Sequence, residues 1–154
     1  MTSPHANSAP RETAPPHSPE AERAVLGSII IAPETIDHVG SILRPADFMD
    51  PLFGDIYRAA LDMRAKGQAI DRLTLLARLK SLPAFEDQGY AVTILKVCHE
   101  TPTAAHAEHY AGIVKELSDK RRLARIAASA NEAALNGRSA SDVLAVLRAD
   151  LDEI

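Results

Sequence analysis

Cys98 and His99 stand side by side, the pair of residue types that a thiolate nucleophile and its base would need. Neighbours on a helix do not face each other, and Cys98 falls on the apolar side of its segment, so an inert buried thiol is the better reading. His106 and His109, three apart, could share a metal ion with His99 or Glu108. That set lacks a regularly spaced third ligand, and ordinary surface histidines explain it more simply. A small metal-dependent enzyme using His99, His106 and His109 is the enzymatic alternative, and bound metal would be its signature. His5 and His17 are read as solvated. The carboxylate pairs Asp47 with Asp50, and Glu86 with Asp87, lie beside capping positions, where helix-end electrostatics accounts for them without acid–base catalysis. The sequence contains no Gly-Lys pair, so it has no G-x-x-x-x-G-K phosphate loop. Its seven glycines are scattered, so there is no dinucleotide cradle either. No catalytic, cofactor-binding or metal-binding residue is therefore assigned.

One charge feature stands out. Lys115, Lys120, Arg121, Arg122 and Arg125 cluster, diluted by Glu116 and Asp119. The cluster suits a local patch for phosphate or for an acidic protein surface. It equally suits a solvated tip, with Lys115 placed favourably at a helix C-terminus. No aromatic residue is interleaved, which removes the stacking that single-strand binding uses. The net charge of −4 and a pI near 5.8 also argue against a globally basic nucleic-acid binder.

The elements that must position these residues are helical. A chain of 154 residues is about one domain and can bury a core without staples. The single cysteine excludes an internal disulfide framework, and no apolar run approaches the ~18 residues of a membrane span. The start shows no charged-then-apolar export signal. Alanine occurs 27 times, which favours an all-α fold with close helix packing. Residues 1–17, rich in Pro, Ser, Ala and Thr, read as a disordered tail. Ser18-Pro19 and Asp50-Pro51 are cap-and-first-turn pairs, and Asp71 can cap a further helix. Five short helices are expected over residues 18–104. Their inward residues include Val25 and Ile29, then Ile36 and Val39, then Ile56 and Met63. Leu73, Leu76, Leu79 and Leu82 follow, then Ile94, Leu95 and Cys98. Residues 105–137 are expected to form a long antiparallel hairpin that turns at Ser118-Asp119, its second arm seamed with alanine. Asn136-Gly137 ends that arm. Ser139 with Asp142 begins a terminal helix over residues 138–154. Its apolar face, Val143, Leu144, Leu147, Leu151 and Ile154, has no remaining element to cover it, so it is read as a docking helix.

Four segments, in order, carry a family resemblance. Pro19-Glu20-Ala21-Glu22-Arg23-Ala24-Val25-Leu26-Gly27-Ser28-Ile29 resembles the opening segment of replicative DNA helicases of the DnaB type. Asp47-Phe48 with Ile56-Tyr57, then Asp71-Arg72-Leu73-Thr74-Leu75, resemble the next two. Thr101-Pro102-Thr103-Ala104-Ala105-His106-Ala107 through Ala111 resembles the fourth. Gly89-Tyr90 replaces a frequent Gly-Gly pair, Thr93 an aromatic, and His106 an asparagine.

What the resemblance implies is an assembly domain without catalysis. It is the N-terminal domain and linker helix of an ATP-dependent helicase whose RecA-like ATPase domain, with its ATP and magnesium, is absent from this sequence. It would pair with itself through the hairpin and build a collar of three dimers on a hexameric ring. It would also recruit the C-terminal domain of primase. Its last helix would dock on the neighbouring subunit's ATPase domain. The residues expected in self-association are Tyr110, Val114, Leu117, Leu123, Ile126, Ala127 and Ala130. Those expected at primase are Lys120, Arg121 and Arg122. Those expected in linker docking are Val143, Leu144, Leu147, Leu151 and Ile154. DNA would be met weakly or indirectly, with no membrane contact, in the bacterial cytoplasm at the replication fork. The alternative from another class is a stand-alone module that caps or regulates a helicase ring.

Overall fold

The computed structural model describes residues 14–83, 85–86 and 89–154. Among them are seven α-helices, one short 3-10 turn and no strand. The helices are α1 (Pro19–Ile31), α2 (Thr35–Ile42), α3 (Pro51–Ala65), α4 (Arg72–Lys80), α5 (Tyr90–Glu100), α6 (Ala107–Leu135) and α7 (Ala140–Asp152), with the 3-10 turn at Pro45–Asp47. The all-α fold with five short leading helices is thus as expected. Residues 1–13 and Asp87 lie outside the described residues, and so does most of the expected tail; residues 14–17 precede α1 without forming a helix.

The start signals act as their chemistry dictates. The Ser18 hydroxyl accepts the Ala21 N–H at 3.2 Å, and Asp50 accepts the Leu52 N–H at 2.9 Å. Asp71 accepts from both Leu73 and Thr74. Each oxygen satisfies a first-turn donor that the helix itself leaves orphaned. Gly67, with φ 66°, closes α3, and Gly137, with φ 78°, closes α6.

The core lies where α1, α2, α3, α4, α5 and the first half of α6 converge. Val25, Leu26, Ile29, Val39, Ile56, Leu75, Ile94 and Val97 are buried there. Tyr57 is buried too, and its hydroxyl donates to the Leu43 carbonyl at 3.1 Å. Burial pushes that phenol up to about 12. α1 runs directly across α5 and α6, and Gly27 makes this approach possible. A Cβ there would lie 2.0 Å from Thr101 Oγ1 and 2.6 Å from the Val97 carbonyl oxygen. Thr101 cannot give way, because its hydroxyl donates to that carbonyl at 2.7 Å.

Two expectations are corrected. In α4 the buried leucines are Leu75 and Leu79, while Leu73 and Leu82 are exposed. Positions three apart drift about 60° around a helix at each step, so four of them cannot share one face. The second correction concerns residues 105–137, which form no hairpin. α6 is one continuous helix of 29 residues that passes straight through Ser118-Asp119. No proline falls in that stretch and its one glycine within the helix, Gly112, lies six residues before Ser118, while Lys115–Asp119 and Glu116–Lys120 pair across successive turns. The Ser118 side chain points inward instead of competing for the backbone. The hairpin is formed by α6 and α7, which meet through the Asn136–Ser139 connection.

What holds α6 on the head is Asp47, 1% exposed. Its Oδ2 accepts the Arg44 N–H at 2.6 Å, closing the 3-10 turn. Its Oδ1 accepts the Ser118 hydroxyl at 2.7 Å and lies 3.3 Å from an Arg122 guanidinium nitrogen. Arg121 donates to the Asp47 carbonyl at 2.5 Å and to the Pro16 carbonyl at 2.7 Å. A second buried carboxylate, Glu22 on α1, accepts the Met49 and Asp50 N–H groups at 2.8 and 3.4 Å. Its burial pushes that carboxyl above its usual range.

Two outcomes follow for stability. Gly27→Ala gains up to ~1 kcal/mol of helix propensity but meets an overpacking cost of about 1–3 kcal/mol against an anchored Thr101. It should lower the thermal midpoint, whereas Gly112→Ala, with open space around its Cβ position, should raise it. Asp47→Ala leaves several buried donors unpaired and should cost about 2–4 kcal/mol in urea unfolding, with loss of α6 amide protection first. A loss under half a kcal/mol would show that packing alone seats α6.

Candidate interaction surfaces

The apolar positions of α6 change role along its length. At its start Ala107, Ala111 and Val114 point into the core, and Tyr110 is half-buried against it. Val114, 1% exposed, is therefore withdrawn from the self-association set, since the chain's own core encloses it. Leu117 is half-buried. Past the Asp47 contact, α6 leaves the head. Ile126 and Ala130 turn toward Val143 and Leu147 of α7, and together they line a small cavity of about 30 Å³. Their seam is thus with α7 of the same chain. Leu123 and Ala127 remain exposed.

α7 is capped by Ser139, whose hydroxyl accepts the Asp142 N–H at 3.1 Å. The expectation that nothing covers its apolar face is corrected: Val143 and Leu147 lie on α6, because a tight glycine turn returns the chain beside it. None of its residues is buried, however. Leu144, Val146, Leu151 and Ile154 stay outward, as do Leu123 and Leu135 of α6. Leu144 and Leu151, seven apart, share one side of α7, and among the described residues no further helix packs over this two-helix arm. Charges rim the arm. Arg44, Arg122 and Arg125 face Asp150, Asp152 and Glu153 across an open groove of about 730 Å³.

The basic cluster is redistributed as well. Its residues are not at a tip, because the helix does not turn there. Arg121 and Arg122 are half-buried and bound to Asp47, so their first role is to fasten α6. Lys120 is exposed and paired with Glu116 at 3.1 Å. Among the described residues no group of three or more His, Cys, Asp or Glu side chains is placed to hold a metal ion, and no helix is long and apolar enough to cross a membrane. Cys98 is half-buried, and burial pushes its thiol up, away from the reactive thiolate.

Sequence reasoning missed three features. The pairing of Asp47 with Ser118 spans 71 residues and leaves no local pattern. The burial of Glu22 leaves no local signal either, because its partners, the Met49 and Asp50 N–H groups, lie 27 and 28 residues away. Leu95, expected inward, is exposed beside Val92, because Ile94 and Val97 set the inward phase of α5.

The comparisons with known proteins agree with this architecture. A family model described as DnaB-like helicase N terminal domain matches residues 14–116. The replicative DNA helicase DnaB of Geobacillus stearothermophilus is 36% identical over 141 residues, which is 92% of this chain and 30% of that protein. The replicative DNA helicase DnaC of Bacillus subtilis (strain 168) is 36% identical over 113 residues, 73% of this chain and 25% of that protein. The chain thus spans less than a third of the length of these relatives. The N-terminal domain of DnaB helicase from Mycobacterium tuberculosis superposes with a TM-score of 0.84 at 29% identity, covering 92% of this chain and 100% of that one. The N-terminal domain of DnaB helicase from Helicobacter pylori, described with its interactions with primase, superposes at 0.67 with 26% identity over 76% and 91% of the two chains. With more than half its length matched by the family model and its fold shared with these domains, the chain belongs to the DnaB-like helicase N-terminal domain family.

Proposed function

We propose that this chain is a non-catalytic assembly domain of a replicative DNA helicase, pairing with itself through the α6–α7 arm and recruiting primase. The observation that carries the reading is the arm itself. It has two helices, a seam of its own, and outward leucines, Leu144 and Leu151 on one side of α7, that the described residues leave partly exposed. Exposed leucines that share a helix side suit protein–protein contact. The charge layout suits like chains, since a groove with arginines on one side and carboxylates on the other complements a copy of itself in a two-fold contact. The self-association surface is therefore redrawn around Leu123, Leu135, Leu144 and Leu151. Tyr110 and Leu117 are left at the root of the arm, and Ile126 and Ala130 inside it. In the same reading Leu144, Leu151 and Ile154 remain candidates for docking on an ATPase domain, and dimers assemble as a collar on a hexameric ring. ATP and magnesium are used by that ATPase domain and not by these helices. The setting is the bacterial cytoplasm at the replication fork.

Primase recruitment is supported by two solved relatives described with their interactions with primase, one of them a DnaB-like replicative helicase at 27% identity and a TM-score of 0.70. Of the three basic candidates Lys120 is the exposed one, paired with Glu116, whereas the two arginines are tied to Asp47.

Size-exclusion chromatography with light scattering tests the pairing. The wild type should run as a dimer or larger. Leu144→Asp should shift it to the monomer mass with helicity retained, since the side chain is 49% exposed and a buried charge at an interface costs several kcal/mol. A monomeric wild type would refute the pairing. For primase, the immobilised chain should retain the cognate primase's C-terminal domain, and Lys120→Glu should weaken that retention. Undiminished retention would move the contact off α6.

A further inference from the structure

We propose that the outer face of α5, with the N-terminus of α4, is a docking groove for an acidic amphipathic helix of a partner protein. The inner face of α5 is committed to the core through Tyr90, Ile94 and Val97. On its other side Val92 is 70% exposed and Leu95 56%. They are three apart and so form one outward stripe, continued by Lys96 and His99. An open groove of about 480 Å³, lined by Arg72, Leu95, Lys96, Cys98, His99 and the single carboxylate Glu100, separates this stripe from the start of α4. Leu73, next to Arg72, is 80% exposed.

Charge selects the occupant. Arg72 makes no ion pair among the described residues. Lys96 lies 3.9 Å from Glu100, but Glu100 is already held by Arg23 at 3.0 Å. The groove is therefore locally positive in a chain of net charge −4. The arm carries both signs and complements itself, whereas this groove carries mainly one sign and an apolar stripe, so it complements a different chain. A helix with an apolar row and flanking Asp or Glu would cover Val92 and Leu95 while meeting Arg72 and Lys96, the helix-in-groove mode of recognition. The inference concerns a different surface from the arm and does not rest on self-association.

The test uses the whole chain and a synthetic amphipathic helical peptide with leucines at i, i+3, i+4 and i+7 and glutamates elsewhere. A second peptide carries lysine in place of every glutamate. By fluorescence anisotropy the acidic peptide should bind about tenfold or more tightly than the basic one, a difference of about 1.4 kcal/mol. Leu95→Glu should weaken the acidic peptide about tenfold. The double variant Arg72→Glu, Lys96→Glu should reverse the preference. All three side chains are exposed, so circular dichroism should not change. Leu144→Asp should leave peptide binding as it is. Binding of neither peptide, equal binding of both, or full binding by Leu95→Glu would overturn the proposal. So would a wild-type mass that falls on Leu95→Glu, which would assign the face to a second copy of this chain.

Discussion

One carboxylate decides the shape of this molecule. A buried carboxylate without partners costs several kcal/mol. Asp47 meets the backbone of its own turn and then the middle of α6, 71 residues further on, through Ser118 and Arg122. Because these groups can satisfy Asp47 only when α6 continues unbroken past position 118, the bond fixes both the position of the helix and its straightness. At ~1.5 Å per residue α6 is about 43 Å long, longer than the head needs. Its first half completes the core and its second half must leave it.

That division sets up the rest. The head buries aliphatic side chains from six helices around Tyr57 and leaves Leu73, Val92 and Leu95 outside that core. The arm buries nothing fully beyond Ser118. α7 has 13 residues, a length at which an isolated helix is marginal, and draws on one cap and a thin seam of small residues. At roughly 25 cal/mol per Å², covering the outward leucines of α7, 49% and 43% exposed at Leu144 and Leu151, would add burial that the arm otherwise lacks. The physical incentive to associate therefore lies in the arm, while the chemistry that could tune a different partner lies on α5.

The segments that carry the family resemblance are used mainly for construction. Gly27 admits Thr101, Glu22 holds the start of α3, Asp71 caps α4, and Asp47 holds α6. The side chains of these four are turned inward or along the backbone. Arg72 and Leu73, in the same segments, are exposed beside the α5 groove, and the other surfaces suited to partners lie on leucines, valines and lysines of types common in any helix. Function was accordingly legible from the resemblance and from the uncovered terminal helix, but not residue by residue.

The sequence alone determined the helices and most of their ends, because caps, prolines and glycines act on neighbours within one turn. It also determined that the chain is all-α, but not that α7 would fold back to cover Val143 and Leu147 with α6. Tertiary structure decided what local signals do not encode. Ser118-Asp119, which reads as a turn, is helix because a carboxylate 71 residues away claims the serine. Val114 belongs to the core and Ile126 to the arm because the head ends between them. Leu73 and Leu95 face outward because the phase of a short helix is set by which of its residues reaches the core first, and that depends on helices from elsewhere in the chain.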